Sequence, residues 1–281
     1  MGAGRSGTTA LATFLGNNSE IINLGEMHQF FEHLNEKKEC SCGEKLVECD
    51  FWKNKISKEF FNSSFDNREL SENFESHLSI VKHIFKLFGK KEIEKYTSVH
   101  SKILENINLN NDKKILLDSS KYIGRALALN NVNHLDLKVI YVVRDVRGVI
   151  NSFSKKVQSS KSPLSTIVYY VFINSIVEFV TLLFFRKKII KIRYEDLIGN
   201  PVHLFDKLER FLNIDLADIK DKIKKEEAFK IGHIIGGNRL KKNKEIYFRK
   251  DVSWEVEFSW VKRVVFYVLS FPIMILNRYK L

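Results

Sequence analysis

No lysine follows the second glycine of Gly2-Ala3-Gly4-Arg5-Ser6-Gly7-Thr8-Thr9, the segment that opens this 281-residue chain. In the pattern G-x-x-x-x-G-K-[ST] that lysine reaches the β- and γ-phosphates of a nucleoside triphosphate, and here Thr8 stands in its place. A loop of this kind is poorly equipped to process ATP. Cysteine is also scarce: Cys40, Cys42 and Cys49 are the three in the chain, so a disulfide would need an oxidising compartment and would leave one thiol over. Repeats of about 20–50 residues are missing, which excludes solenoids and propellers. No recognisable nucleic-acid motif accompanies the basic residues. What remains is enough chain, 44% of it hydrophobic, to bury one α/β core, so a single domain over residues 1–281 is the default. The net charge of +12 suits a polyanionic ligand, but it suits nucleic acid or an anionic membrane as well.

What the opening loop does offer is a set of donors. The backbone N–H groups from Ser6 to Thr9, the Ser6, Thr8 and Thr9 hydroxyls and the positive end of the helix they open can hold one phosphate, with Arg5 beside it. A second grip lies in Lys138-Val139-Ile140-Tyr141-Val142-Val143-Arg144-Asp145-Val146-Arg147-Gly148-Val149-Ile150-Asn151-Ser152. Its apolar β-branched run reads as a buried parallel strand ending in Arg144, and Ser152 follows eight residues later in the next helix. Together the two segments resemble the 5′-phosphosulfate loop and the 3′-phosphate motif of sulfotransferases that use 3′-phosphoadenosine 5′-phosphosulfate (PAPS). The resemblance implies that Ser6, Gly7, Thr8 and Thr9 hold the 5′ side of PAPS and that Arg144 and Ser152 hold its 3′-phosphate. Arg5 occupies the place where many soluble members carry lysine and other branches carry arginine.

Strand and helix patterns alternate along the chain. Thr8–Leu15 is expected as a helix, Ile21–Leu24 as a short strand, and Lys114–Leu117, Lys138–Val143 and Lys188–Tyr194 as further strands. Phe74, Leu78, Val81, Phe85 and Phe88 recur at helical spacing up to Gly89, and Ile93, Tyr96, Ile103 and Ile107 continue in a second helix; both stripes are expected to face a core. Residues 50–110 are therefore assigned to a helical insertion on the acceptor side. The fold expected is α/β, P-loop-like and three-layered, with a central parallel sheet. A loop of this type follows a buried strand, yet only Met1 precedes Gly2, so the first core strand is expected upstream of residue 1.

Glu26 follows the Ile21–Leu24 strand and Gly25, at the end of the strand where open α/β sheets place ligands. The segment from Arg5 to Glu26 also resembles tyrosylprotein and glycan sulfotransferases, which implies Glu26 as the base that deprotonates the acceptor hydroxyl; His28 is the alternative base. Lys121, in Asp118-Ser119-Ser120-Lys121, is a candidate to stabilise the leaving phosphate or orient the sulfonate, although Ser119 or Ser120 also reads as a helix cap. The corner Ile192-Arg193-Tyr194-Glu195-Asp196-Leu197-Ile198-Gly199-Asn200-Pro201 reads as structural support. Gly236-Gly237-Asn238-Arg239 resembles a loop of bacterial-type sulfotransferases that closes over the 3′-phosphate and adenine, which implies cofactor contacts by Gly237, Asn238 and Arg239.

Cys40, Cys42 and Cys49 with His28 or His33 could complete a zinc site, but the spacing is not that of common zinc modules. Similar clusters before an aromatic pair occur in bacterial sulfotransferases, so a structural lid is the favoured reading, and no metal is expected to be required. Leu164–Phe185 and Val264–Leu276 are expected as buried helices: the first contains Asn174 and Glu178, and the second is short and interrupted by Pro272. The flanking Arg186-Lys187-Lys188, Arg278 and Lys280 leave room for a peripheral membrane contact in a cytoplasmic protein. The resulting expectation is sulfuryl transfer from PAPS to a hydroxyl of a carbohydrate or glycolipid, with no nucleic-acid partner. Its rivals are a P-loop kinase or NTPase and a non-enzymatic basic nucleotide-binding module.

Overall fold

A computed structural model describes residues 1–56, 60, 64–109, 115–155, 160–237, 243–249 and 251–281. The chain divides into two compact units, each assembled from separated stretches: residues 1–8, 138–228 and 247–281 form one, and residues 9–137 and 229–246 the other. Helix and parallel strand alternate in both, as an α/β chain requires. The strands form two separate parallel pairs and one short antiparallel pair, so the single central sheet expected from the sequence is not what the described residues display.

In the second unit, α1 (Thr8–Leu15) leads to β1 (Ile21–Gly25), which pairs in parallel with β2 (Ile115–Asp118). The register runs Ile21 to Ile115, Ile22 to Leu116 and Asn23 to Leu117, then slips so that Gly25 faces Asp118. Gly25 has φ +79°, and a Cβ there would lie 2.3 Å from the Ile235 carbonyl oxygen, so glycine is what lets the chain turn out of the strand at this point. Next come α2 (Phe30–Asn35), α3 (Ser64–Glu75), α4 (Ser79–Ile84) and α5 (Lys90–Asn108), and after β2 follows α6 (Ile123–Leu129). Tyr96, His100, Ile103 and Ile107 line the buried face of α5 at spacings of four, three and four, as its pattern predicts.

The stripe before it does not behave that way. Phe74 is buried, but Leu78, Val81 and Phe85 are 82%, 56% and 68% exposed. The helix stops at Glu75 and α4 starts afresh at Ser79, so the helical period is broken in the middle of the run. Gly124 shows why the break lies where it does. A Cβ on it would come within 2.3 Å of the Ser76 carbonyl, which means that α6 presses its glycine directly against the 75–79 turn.

The first unit is built on β3 (Val139–Val143) and β4 (Ile189–Arg193), parallel and in register over all five pairs. On the other side of β3, the Val142 N–H donates to the Met1 carbonyl at 3.0 Å, and the Met1 amino group donates to Ile140 O at 2.6 Å. Helices α7 (Val146–Ser154), α8 (Pro163–Phe184), α9 (Tyr194–Gly199), α10 (Pro201–Leu212) and α11 (Ala217–Lys224) follow. The short strands β5 (Phe229–Lys230) and β6 (Glu245–Ile246) belong to the second unit, and α12 (Trp254–Glu257), α13 (Trp260–Leu269) and α14 (Phe271–Leu276) complete the first.

Neither long apolar stretch is wholly buried. Among the described residues α8 is the one helix long and apolar enough to cross a membrane. Tyr170, Ile173, Asn174 and Val177 lie inside, with the Tyr141 hydroxyl donating to the Asn174 amide oxygen at 2.9 Å, whereas Val168, Phe172, Phe179 and Leu182 face outward. The second stretch splits at Ser270, because Pro272 opens a new helix; Ser270, Ile273 and Met274 are buried there, and Trp260, Val265, Phe271 and Leu276 are exposed.

One charged network lies largely inside the second unit. The Arg125 side chain donates through Nε to Asp118 Oδ2 at 2.6 Å and through Nη1 to Glu75 Oε1, which also accepts from the Tyr96 hydroxyl at 2.8 Å. One cation cannot neutralise two carboxylates. Burial pushes Glu75 up to about 7 despite the pull of Arg125, while at Asp118 the cost of burial is outweighed by Arg125 and Ser120, which hold it below the usual range. Between the ordinary glutamate value near 4.5 and about 7 the folded chain holds a proton that the unfolded chain lacks, so this group's contribution to stability is lost as pH rises through that window. Glu75→Gln should therefore gain on the parent in urea midpoint between about pH 5 and pH 7.5. A gap between the two chains that is the same at both pH values would contradict the assignment.

Candidate functional site

The opening loop is shaped by its glycines. At Gly2, φ +137°, a Cβ would meet the Val142 carbonyl at 2.3 Å, and at Gly7, φ +91°, it would meet the Tyr194 ring at 2.4 Å. The loop therefore runs against β3 and then over a tyrosine, as only glycine permits. The Gly4 N–H donates to the Tyr169 hydroxyl at 2.9 Å, Arg5 has left-handed backbone at φ 68°, and its guanidinium lies 5.5 Å from the Phe153 ring centre. The Ser6, Thr8 and Thr9 hydroxyls are buried and have no hydrogen-bond partner among the described residues. No acidic residue sits in the first turn of α1 to offset the positive helix end. Buried hydroxyls left unpaired are costly, and these three, at the start of a helix, are groups that could hold an anion.

Arg144 leaves β3 into the same unit. It is buried, its Nη1 donates to the Arg5 carbonyl at 3.3 Å, and its guanidinium lies 4.1 Å above the Tyr194 ring. Nε has no partner, and Nη2 pairs with the Asp251 carboxylate at 3.2 Å. Room for this side chain comes from Gly148, one turn into α7, where a Cβ would stand 2.7 Å from Arg144 Nε. Ser152 is half-buried near the end of α7. The Tyr194–Glu195 corner supports the arrangement from below: Tyr194 is the platform under Arg144, and Glu195 accepts from the Asp145 N–H at 3.0 Å and the Tyr279 hydroxyl at 2.7 Å. Asp251, the Tyr194 platform and the space at Gly148 escape sequence reasoning. Only the glycine four residues after Arg144 leaves a readable trace.

In the second unit, Glu26 is buried just past β1. Its N–H donates to Ile235 O at 2.7 Å, its Oε1 pairs with Lys121 Nζ and its Oε2 accepts from Gln29 Nε2 at 3.1 Å. Lys121 and Glu26 thus form one ion pair, although they are 95 residues apart. His28 lies beside Ser120, with Nδ1 3.2 Å from its hydroxyl, and burial lowers it to about 3. So weak a base is neutral at working pH and badly matched to removing a hydroxyl proton, which leaves Glu26 the stronger candidate. Neither serine of Asp118-Ser119-Ser120 caps α6 through its side chain; Tyr122 is the cap residue. Gly237 has φ +90° at the end of the strap that follows Ile235, and Asn238 and Arg239 lie outside the described residues.

The histidines that sequence places nearest the cysteines do not join them: His33 Nε2 accepts from the Gly236 N–H at 3.4 Å, and His28 belongs with Ser120. His233 joins them instead, and the three sulfurs and its ring nitrogen lie within 4.8 Å of one another.

The model of the sulfotransferase family matches residues 1–218. No curated protein matches the chain. Among solved structures, it is similar to the sulfotransferase domain from the curacin biosynthetic pathway, with TM-score 0.53 and 17% identity over 100% of this chain and 96% of that one. It is also similar to the sulfotransferase domain from the Synechococcus PCC 7002 olefin synthase, with TM-score 0.51 and 14% identity over 100% and 93%. At such identities the likeness is one of fold.

Proposed function

We propose that this chain, which belongs to the sulfotransferase family and is an enzyme of that class, takes its sulfuryl group from PAPS and passes it to a hydroxyl of a carbohydrate or glycolipid. The observation that carries the donor assignment is the set of orphaned buried groups: the Ser6, Thr8 and Thr9 hydroxyls and Arg144 Nε. These are donors in search of acceptors, the chemistry that the phosphates of such a nucleotide would supply. PAPS would supply a sulfuryl group already attached to a good leaving phosphate. The loop N–H groups, its hydroxyls and Arg5 would hold the 5′ side and counter the charge that grows there, and Arg144 with Ser152 would hold the 3′-phosphate. Glu26 would take the proton from the acceptor hydroxyl, with Lys121 and Gln29 fixing its carboxylate. Support for a carbohydrate acceptor comes from the likeness of Arg5–Glu26 to glycan sulfotransferases.

Adenosine 3′,5′-bisphosphate should raise the melting temperature well above the effect of AMP, because a ligand that binds only the folded chain stabilises it by mass action. Arg144→Ala should remove most of that difference. Equal stabilisation of the parent by the two nucleotides would sink the donor assignment.

Glu26→Gln is expected to keep the nucleotide-induced shift and to lower turnover by about a hundredfold, the cost of losing a general base. Near-parent turnover with a chemistry-limited acceptor would move the base elsewhere.

The exposed Trp260, Val265, Phe271 and Leu276, in a unit that also carries Arg186, Lys187 and Lys188, support a peripheral contact with anionic lipid. The chain should co-sediment with phosphatidylserine vesicles at low salt, and Trp260→Ser with Phe271→Ser should weaken this several-fold. Failure of the parent to bind such vesicles would remove the membrane from the reading.

A further inference from the structure

We propose that Cys40, Cys42, Cys49 and His233 form a zinc site of structural type, separate from the groups that handle donor and acceptor. The four side chains come from two stretches nearly two hundred residues apart, yet their ligand atoms all fall within 4.8 Å of one another. Cys42 Sγ lies 3.6 Å from Cys49 Sγ, and Cys49 Sγ lies 3.2 Å from His233 Nδ1. Around a tetrahedral zinc, with sulfur at about 2.3 Å and nitrogen at about 2.0–2.1 Å, those separations are about 3.8 and 3.5 Å. All three cysteines are free thiols. Three thiolates and an imidazole in a closed set are the donor chemistry of zinc, and with four protein ligands no position stays open for substrate or water.

The backbone holds these ligands in place by means of its own. Cys40 and Cys42 flank a tight turn in which the Gly43 N–H donates to Cys40 O at 3.0 Å and the Cys40 N–H to Glu44 O at 2.8 Å; Gly43 takes φ +95°. Cys49 closes the next turn, its N–H donating to Lys45 O at 2.8 Å. Ser41, between the first two cysteines, grips the distant segment on both sides of His233. Its hydroxyl donates to Gly232 O at 2.6 Å and accepts from the Ile234 N–H at 2.9 Å. The Trp52 indole donates to His233 O at 3.1 Å, and the Phe51 ring stacks on the imidazole with centres 5.8 Å apart and planes 13° from parallel. Such fixing of ligands by their surroundings is what separates a built site from a chance cluster.

The site has a mechanical consequence. Two residues past His233, the Ile235 N–H donates to Leu24 O at 3.0 Å, and Ile235 O accepts from the Glu26 N–H at 2.7 Å. A metal joining the cysteine turn to His233 would therefore anchor the strap that holds the backbone of Glu26.

The test is the metal content of the full chain, expressed with zinc supplied and purified under reducing conditions without chelator. One zinc per chain is expected, and the cobalt-substituted protein should show the visible bands of a tetrahedral thiolate site. Cys42→Ser, at an exposed position, and His233→Ala should each weaken retention against a competing chelator by about tenfold or more, whereas His33→Gln should not. A parent chain that binds well under one zinc after dialysis against excess metal would overturn the proposal; so would iron in place of zinc, a six-coordinate cobalt spectrum, or full retention in His233→Ala. Because nucleotide and acceptor are absent from the measurement, its outcome is independent of the transfer reaction.

Discussion

The contact on which the second unit most depends is the one between Arg125 and Asp118. Asp118 ends β2, and its Oδ1 accepts from the Ser120 N–H at 2.8 Å and from the Met27 N–H at 3.3 Å. The carboxylate thereby sets the path of the chain on both sides of Glu26 and Lys121, since the Ser120 hydroxyl in turn accepts from the His28 N–H at 3.1 Å. Arg125 gives the half-buried Asp118 its positive neighbour, and through Glu75 it ties α3 to the same point. Removing one member of such a buried set strands the charge of the others, a loss of about 3–5 kcal/mol. The backbone path around Glu26 and Lys121 and the packing of α3 and α6 are here a single electrostatic problem.

The regions around Arg144 and around Glu26 follow different building rules. Around the opening loop and Arg144, glycines create the space: Gly2, Gly7 and Gly148 each stand where a Cβ would collide. The donors they expose are left without partners, which is the condition for a ligand to bring something the protein does not supply itself. Around Glu26, by contrast, each polar atom of the carboxylate already has a neighbour in Lys121 or Gln29. The first region is prepared for an anion to arrive, and the second holds its own charge in a fixed orientation.

Much of this was open to sequence reasoning because it is local. The helix Thr8–Leu15 is found with the bounds its pattern predicts, and each of the four parallel strands lies within a residue of expectation at either end. Motif also singles out the phosphate-loop hydroxyls, Arg144 and Glu26 as candidates, and the structure buries each of them. What could not be read depends on partners distant in the chain. The break between α3 and α4 is dictated by Gly124, some forty-five residues later, so the run of apolar residues from Phe74 to Phe88 looks continuous when it is not. Val264–Leu276 looks like one buried helix because nothing in its composition says how little of it the fold covers. His233 lies 184 residues beyond Cys49, and spacing rules for metal ligands carry no information across such a gap.

Asp251 gives Arg144 a resident counter-ion. At Asp251 the cost of burial is outweighed by the Ser253 hydroxyl and by Arg144, so its carboxyl titrates below the usual range and it remains an anion across neutral pH. Any phosphate that takes up Arg144 is therefore entering an exchange rather than filling a vacancy. The carboxylate is 41% exposed, and ion pairs so open to water are worth only about 0–1 kcal/mol, so giving it up would cost little while its presence keeps the guanidinium aimed. Were an anion to take up and then leave Arg144, a tethered carboxylate would be on hand to replace it, and its departure would not strand a buried cation.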